Sequence, residues 1–276
     1  MPNRKALYLI LLALFTLAAI LAGIIYYEQK QSLKVIFFDV GQGDSILIEQ
    51  GSKQILIDGG PDGKKVMEKL GEYVPFWDRQ IEVVIATHPD QDHIDGLVDV
   101  LENYNVGEVI DSGVKVETQI FKKLKEVEEV KGVKVMEGKA GMNVEIGDGA
   151  KLEILSPDGT EDKENPKDTN ISSIVSRLTF GDNSFLFTGD MTAEKELALI
   201  GNALVQHSRV LKIAHHGSKY ATSEEFLNAV DPSEAVISVG KNNRYGHPAP
   251  DVLSRLEAHK IIIKRTDEKG DIEYEF

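Results

Sequence analysis

Apolar and polar positions divide the chain into an N-terminal apolar block and a long region of short alternating segments. Arg4 and Lys5 precede an uncharged run from Ala6 to Tyr27, 22 residues long. About 20 apolar residues cross a bilayer as a helix, and a secretory signal has a shorter apolar stretch of about 7 to 15. The reading is an uncleaved signal anchor, with a cleaved signal peptide and secretion as the alternative. Basic residues ahead of the span place the N-terminus in the cytoplasm. The remainder then lies outside, on a single-pass protein of the cell membrane. Glu28 to Leu33 reads as a polar linker, so residues 1–33 form anchor and linker and 34–276 a folded domain.

Beyond the linker the period changes. Lys34 to Val40 is apolar and β-branched, a strand. Ser45 to Glu49 and Gln54 to Asp58 predict a hairpin. Lys64 to Tyr73 carries Val66, Leu70 and Tyr73 at helical spacing. Ile81 to Thr87 is apolar apart from Glu82 and Thr87, which predicts a strand buried on both faces. Helices are expected at Leu97 to Tyr104 and Thr118 to Val130, with strands at Glu108 to Asp111, Lys134 to Met136, Asn143 to Ile146 and Lys151 to Leu155. The second half repeats the alternation: strands at Ser172 to Phe180, Ser184 to Thr188, Val210 to Ala214 and Ala235 to Val239, and helices at Ala193 to Ile200, Ser223 to Val230 and Asp251 to Ala258. Strands at Ile261 to Lys264 and Ile272 to Phe276 close the chain. Polar clusters sit at strand C-termini in both halves. This predicts two β-rich layers flanked by helices, with a site along one edge.

Composition narrows the chemistry. The 276 residues include no cysteine, which excludes thiolate zinc sites, disulfides and a thiol nucleophile. The net charge of -14 offers no basic stripe of the nucleic-acid kind. It does not exclude a phosphodiester substrate, because bound divalent cations would put positive charge where a phosphate must sit.

The strand at Ile81 to Thr87 runs into His88-Pro89-Asp90-Gln91-Asp92-His93, then Ile94-Asp95-Gly96. Imidazoles and carboxylates this crowded tolerate one another when a cation lies among them. If the segment is extended, alternate side chains share a side, so His88, Asp90 and Asp92 converge while His93 turns to the other. His88 and Asp90 then hold one ion and Asp92 and His93 a second, with Asp190, after Thr188-Gly189, as the bridging carboxylate. Read alone, Asp190 is an ordinary turn residue or helix N-cap. His215 and His216 end another strand; as neighbours they diverge, one towards metal and the other towards substrate. His247, in Tyr245-Gly246-His247-Pro248, follows the next strand. His207 and His259 have no comparable setting.

These motifs, with Phe38 to Asp44 and Leu56-Ile57-Asp58-Gly59-Gly60, resemble the metallo-β-lactamase superfamily, and within it the hydrolase domain of ComEC-type competence (DNA-uptake) proteins. The resemblance covers roughly Lys34 to Phe276. It implies an α+β, αββα sandwich holding two divalent ions, and the hard oxygen of Asp90 makes manganese a competitor to zinc for them. It also implies that Asp58 orients the His/Asp loop, Asp190 bridges, His216 is a ligand, and His215 contacts a substrate phosphate. Asp44 and Gln42 line the site. Asp90 stands where most of the superfamily carries histidine, as is common in the competence subgroup. No histidine between His93 and Asp190 serves as third ligand of the first ion, and Asn170 or a water takes that place.

The expected activity is metal-dependent hydrolysis by a bridging hydroxide, directed at phosphodiesters such as extracellular DNA, with Asp92, His215 and His247 as the catalytic set. The alternatives are a phosphocholine or cell-wall phosphoester hydrolase, or a non-catalytic, membrane-tethered accessory protein of DNA uptake.

Overall fold

A computed structural model describes residues 4–161, 163, 164 and 166–276, those of 24–31 by backbone alone. Helix α1 (Arg4–Gln31) contains a stretch, Arg4–Gly23, long and apolar enough to cross a membrane. It continues to Gln31, where a linker was expected, because Glu28-Gln29-Lys30-Gln31 are good helix formers. Leu33 already belongs to the first strand.

The first half of the domain runs β1 (Leu33–Phe37), β2 (Ile46–Gln50), β3 (Lys53–Ile57), α2 (Gly63–Tyr73), β4 (Gln80–Ala86), α3 (Gln91–Asn103), β5 (Asn105–Asp111), α4 (Gln119–Lys131) and β6 (Lys134–Glu137). The second runs β7 (Asn143–Ile146), β8 (Ala150–Ser156), β9 (Val175–Phe180), β10 (Asn183–Phe187), α5 (Ala193–Gly201), β11 (Val210–Lys212), α6 (Glu224–Val230), β12 (Glu234–Ile237), α7 (Pro250–Ala258), β13 (Ile262–Arg265), α8 (Thr266–Lys269) and β14 (Ile272–Glu275). Two seven-stranded sheets result, ordered β14-β1-β2-β3-β4-β5-β6 and β13-β12-β11-β10-β9-β8-β7. The last strand crosses back to pair antiparallel with β1. There Leu33 and Phe276 exchange both backbone hydrogen bonds, at 3.1 and 3.0 Å.

The apolar runs are continuous because both faces of each sheet are covered. In β1, Leu33, Val35 and Phe37 pack between the sheets against residues such as Leu178, Phe185 and Val236. Ile36 faces the other way, with Val66, Leu70 and Leu97 of the helical layer. On the far side Leu211 and Ile237 meet Phe226, Leu227 and Val252. Three apolar seams separate four layers, an αββα sandwich. Parallel pairing of β3 with β4 and of β10, β11 and β12 brings their C-terminal ends to one edge. That edge carries the polar clusters.

Several boundaries differ from the sequence expectation. Helix α3 begins at Gln91, not Leu97, so the motif is half loop and half helix. Asp90 occupies the N-cap position without a side-chain cap bond. The strand expected from Ser172 starts at Val175, after a 3-10 turn at Thr169–Ser172. The strand expected to reach Ala214 stops at Lys212, where a second 3-10 turn begins at Ala214. Helix α8 was not anticipated, since a four-residue helix has no periodicity to read.

Candidate metal centre

Five chain segments meet at the C-terminal edge: the turn after β1, the β4–α3 junction, the loop after β10 and the turns after β11 and β12. Close backbone approach makes this possible. Gly43 has φ +139°, and a Cβ there would lie 2.1 Å from the Asp92 carbonyl oxygen. A Cβ on Gly96 of α3 would lie 2.0 Å from the Gly59 carbonyl oxygen. Only glycine lets the two segments flank the motif so tightly.

Asp190 is the hub. One carboxylate oxygen, Oδ2, lies 3.4 Å from His93 Nε2, 3.5 Å from His216 Nε2 and 3.8 Å from His215 Nε2. It does not cap α5, a role taken by Thr192. Asp92 Oδ2 is 3.4 Å from His216 Nε2. The expectation that His88, Asp90 and Asp92 converge by strand alternation fails, because Asp92 and His93 stand in the first turn of α3. Helical placement turns them inward instead. His88 and His93 still lie together, their ring centroids 4.1 Å apart, and His88 groups with His93 and Asp190. Asp90 sits at the rim, with its side chain 41% exposed and its Oδ2 3.8 Å from His88 Nε2. Its other oxygen accepts from Thr169 Oγ1 at 2.5 Å.

The imidazoles are held in a shared way. His93 Nδ1 donates to Asp58 Oδ2 at 2.7 Å, His216 Nδ1 to the Ser238 carbonyl at 2.9 Å, and His88 Nδ1 to Thr87 Oγ1 at 3.0 Å. This network places a proton on Nδ1, so in the neutral rings Nε2 is the atom free to bind metal. Those Nε2 atoms, with Oδ1 of Asp44 and of Asp190, are buried and without hydrogen-bond partners. Buried polar atoms normally have partners. Donors around a tetrahedral ion with bonds of about 2.0–2.2 Å lie roughly 3.3–3.6 Å apart, the spacing seen around Asp190 and Asp92. The His/Asp set therefore fits a divalent metal.

Charge points the same way. Burial opposes a proton on His93, but Asp190 and Asp58 outweigh it and hold its pKa well above the usual imidazole value. His216 is likewise pushed up to about 9, with burial overcome by Asp190, Asp44 and Asp92. Burial would raise the Asp190 carboxyl, yet His216 and His93 hold it well below the usual range. The pocket stabilises positive charge. His88 goes the other way, lowered by burial and by His93, which keeps its imidazole free to bind metal.

Asp58 is placed to orient the loop. It accepts from Thr87 N at 2.8 Å and Thr87 Oγ1 at 2.7 Å as well as from His93. Replacing it by asparagine puts an amide donor against these donors. Asp58→Asn is expected to weaken metal affinity about 10- to 100-fold, read by competition with a chromogenic chelator. Unchanged affinity would remove Asp58 from the site. Asp44 is buried, engaged with Lys212 Nζ and 3.4 Å from His216 Nδ1. Gln42 Oε1 accepts from Gly240 N at 3.2 Å, strapping the loop before His247 to the site. Asn170 Oδ1 is buried and unpartnered, on the same turn as Thr169.

His215 and His216 are split by backbone strain. Both adopt left-handed φ, 49° and 54°, costly for non-glycine residues. His216 turns inward and is 2% exposed, while His215 stands 33% exposed at the opening. His247 joins the outer face: its ring lies 5.7 Å from that of His215 and stacks at 5.7 Å on Tyr245. Burial, then His216 and His215, lowers its pKa and keeps it neutral. His259 is remote, paired with Glu224 at 2.6 Å.

Lys212 is the residue that sequence reasoning missed. Its side chain is fully buried, joined to Asp44, 3.8 Å from Asp190 Oδ1 and donating to the Gly189 carbonyl at 3.1 Å. The available signal was one lysine inside an otherwise apolar strand. Ser173, whose Oγ accepts from Asp190 N at 3.2 Å, gave no signal.

A profile of the metallo-beta-lactamase superfamily matches residues 38–241. The chain belongs to the metallo-beta-lactamase superfamily. Among curated relatives of this metallo-beta-lactamase chain, ComE operon protein 3 of Bacillus subtilis is 36% identical over 88% of it and 33% of the relative. Competence protein ComA of Neisseria gonorrhoeae is 28% identical over 92% of the chain and 34% of the relative. Both are ComEC-type competence proteins, and the chain spans about a third of their length. The metallo-beta-lactamase fold protein YhfI from Bacillus subtilis superposes with TM-score 0.60 at 11% identity, covering 88% of this chain and 100% of that one. The superfamily's metal-dependent hydrolase architecture and a His/Asp set able to hold divalent metal thus coincide at one edge of the fold.

Proposed function

We propose that the chain is a metal-dependent phosphodiesterase acting on nucleic acid on the outer side of the membrane, anchored by α1. The observation that carries this reading is the ledge beside Asp190 and Asp92, built from His215, His247, Tyr245 and Arg244. The Arg244 guanidinium lies over the Tyr245 ring at 5.0 Å and bonds its hydroxyl at 3.0 Å. A cavity of about 340 Å³ joins Arg244 and Tyr245 to Asp92 and Gln42. Imidazoles, a guanidinium and an aromatic face suit a phosphate with a base attached, in a chain otherwise strongly acidic. The competence relatives support DNA as the nucleic acid.

In this reading His88 and Asp90, with Asn170, would hold one ion, Asp92, His93 and His216 would hold the other, and the Asp190 carboxylate would serve the same centre. Bound divalent ions supply Lewis acidity, acidifying water and polarising a phosphoryl oxygen. Asp92, with its side chain 34% exposed, accepts the proton of attacking water. His215 hydrogen-bonds a phosphoryl oxygen, and His247 braces His215 and contacts the substrate. Asp90 adds a hard oxygen ligand, so manganese competes with zinc.

The test is metal content and turnover of the full chain in detergent, using bis-p-nitrophenyl phosphate and single-stranded DNA with added zinc or manganese. Two bound ions with turnover are expected. One tight ion and no turnover would replace the hydrolase reading with an accessory role. His247→Ala is expected to lower kcat roughly a hundredfold while leaving metal content unchanged; metal loss instead would make His247 a ligand.

A further inference from the structure

Outside α1, the most exposed large apolar side chains among the described residues include Phe76 at 80% and Trp77 at 74%. Their rings meet edge to face, 4.8 Å apart at 83°. Scattered exposed apolar residues need no explanation, but a contiguous aromatic pair does. The loop presenting them is held firmly. Val74 is buried. Asp78 N donates to the Pro75 carbonyl at 2.8 Å. The Asp78 carboxylate accepts from Gln80 N at 3.1 Å and Gln54 Nε2 at 3.3 Å, and the Arg79 guanidinium lies over the Tyr104 ring at 5.2 Å. A rigid turn thus points two aromatic rings outward.

Topology fixes which end of the domain this is. β1 and β2 are antiparallel, β2 and β3 antiparallel, and β3 and β4 parallel. β1 therefore runs in the direction of β4. Leu33, where the chain enters from α1, lies at the same end of the sheet as Gln80, just after the aromatic pair. The metal centre occupies the opposite end. Three strand spacings, about 14 Å, separate β1 from β4. Only Ser32 separates α1 from β1, and the rise from Tyr27 to Leu33 is about 9 Å if helical. A bilayer holding α1 thus comes within reach of Phe76 and Trp77.

We infer that Phe76 and Trp77 insert into the bilayer interface beside the α1 anchor, giving the domain a second, non-covalent foothold on the lipid surface. This inference rests on α1 spanning the membrane. Tryptophan favours the headgroup region, where its ring is buried and its N–H stays wet. Two footholds about 14 Å apart restrict tumbling about Ser32 and turn the metal-bearing edge away from the membrane, towards solvent.

Trp77 is the single tryptophan of the chain, so its emission reports the site directly. The full chain is reconstituted in phosphatidylcholine vesicles with and without brominated acyl chains. Retention after carbonate washing checks the span. The expected result is blue-shifted Trp77 emission, largely quenched by the brominated lipid. Phe76→Asp should shift that emission to the red and relieve the quenching. Tyr220 is 72% exposed in the loop after β11, at the metal-bearing end, so a Trp77→Phe, Tyr220→Trp double variant moves the reporter to the opposite end and should show water-exposed, unquenched emission. A retained chain with unquenched Trp77, or equal quenching of Trp77 and the residue 220 reporter, overturns the foothold while leaving the span intact. A chain lost on washing overturns the span and the inference together.

Discussion

Asp190→Ala is expected to abolish metal uptake and phosphodiester turnover together. One oxygen of this carboxylate faces His93, His216 and His215 at 3.4 to 3.8 Å, so its removal deletes the anion shared by the donor set. Three imidazoles then face one another with less to hold a cation among them. Losing several kcal/mol of charge stabilisation corresponds to roughly a thousandfold or more in rate. Elemental analysis of the purified variant and turnover of bis-p-nitrophenyl phosphate measure the two effects. The fold should survive, because the surrounding contacts are backbone and helix packing; circular dichroism checks this. Full metal content with normal turnover in the alanine variant would sink the assignment of the centre.

Lys212→Met is expected to be the most destabilising single change at the site, and its cost should depend on metal. The ammonium is fully buried against Asp44 and near Asp190. Burial would raise the Asp44 carboxyl, but Lys212, foremost among its charged neighbours, brings it below the usual range. Removing one partner of such a pair leaves uncompensated buried charge, at a cost of about 3–5 kcal/mol. A divalent cation beside Asp190 supplies positive charge to the same cluster, so the metal-loaded variant should recover part of the loss. Urea unfolding with and without excess zinc or manganese tests this. Equal destabilisation in both conditions would mean that Lys212 serves packing alone.

The αββα layering was legible because strands covered on both faces are apolar at successive positions, as Val83 to Ala86 shows. The edge was legible because His88, Asp58, Asp190 and His216 each follow such a run. What the residues concealed was local geometry. The motif segment looked like a loop because Pro89 and its neighbouring Asp residues favour turns, yet Gly96 lets α3 approach Gly59 and start at Gln91. Adjacent histidines were expected to diverge as on a strand; they diverge through left-handed backbone at His215 and His216, which no periodicity announces. Lys212 passed unnoticed because a lone cation in a strand carries no pattern. Its meaning came from Asp44, 168 positions earlier in a chain that folds the two together.

The shared hydrogen bonds of Leu33 and Phe276 have a consequence for how this domain can be carried. Its entry and exit lie side by side, remote from the chemistry, so the unit is a closed cassette. A longer polypeptide can splice it in, or a short bridge can join its ends and open new ones elsewhere, without disturbing the working edge.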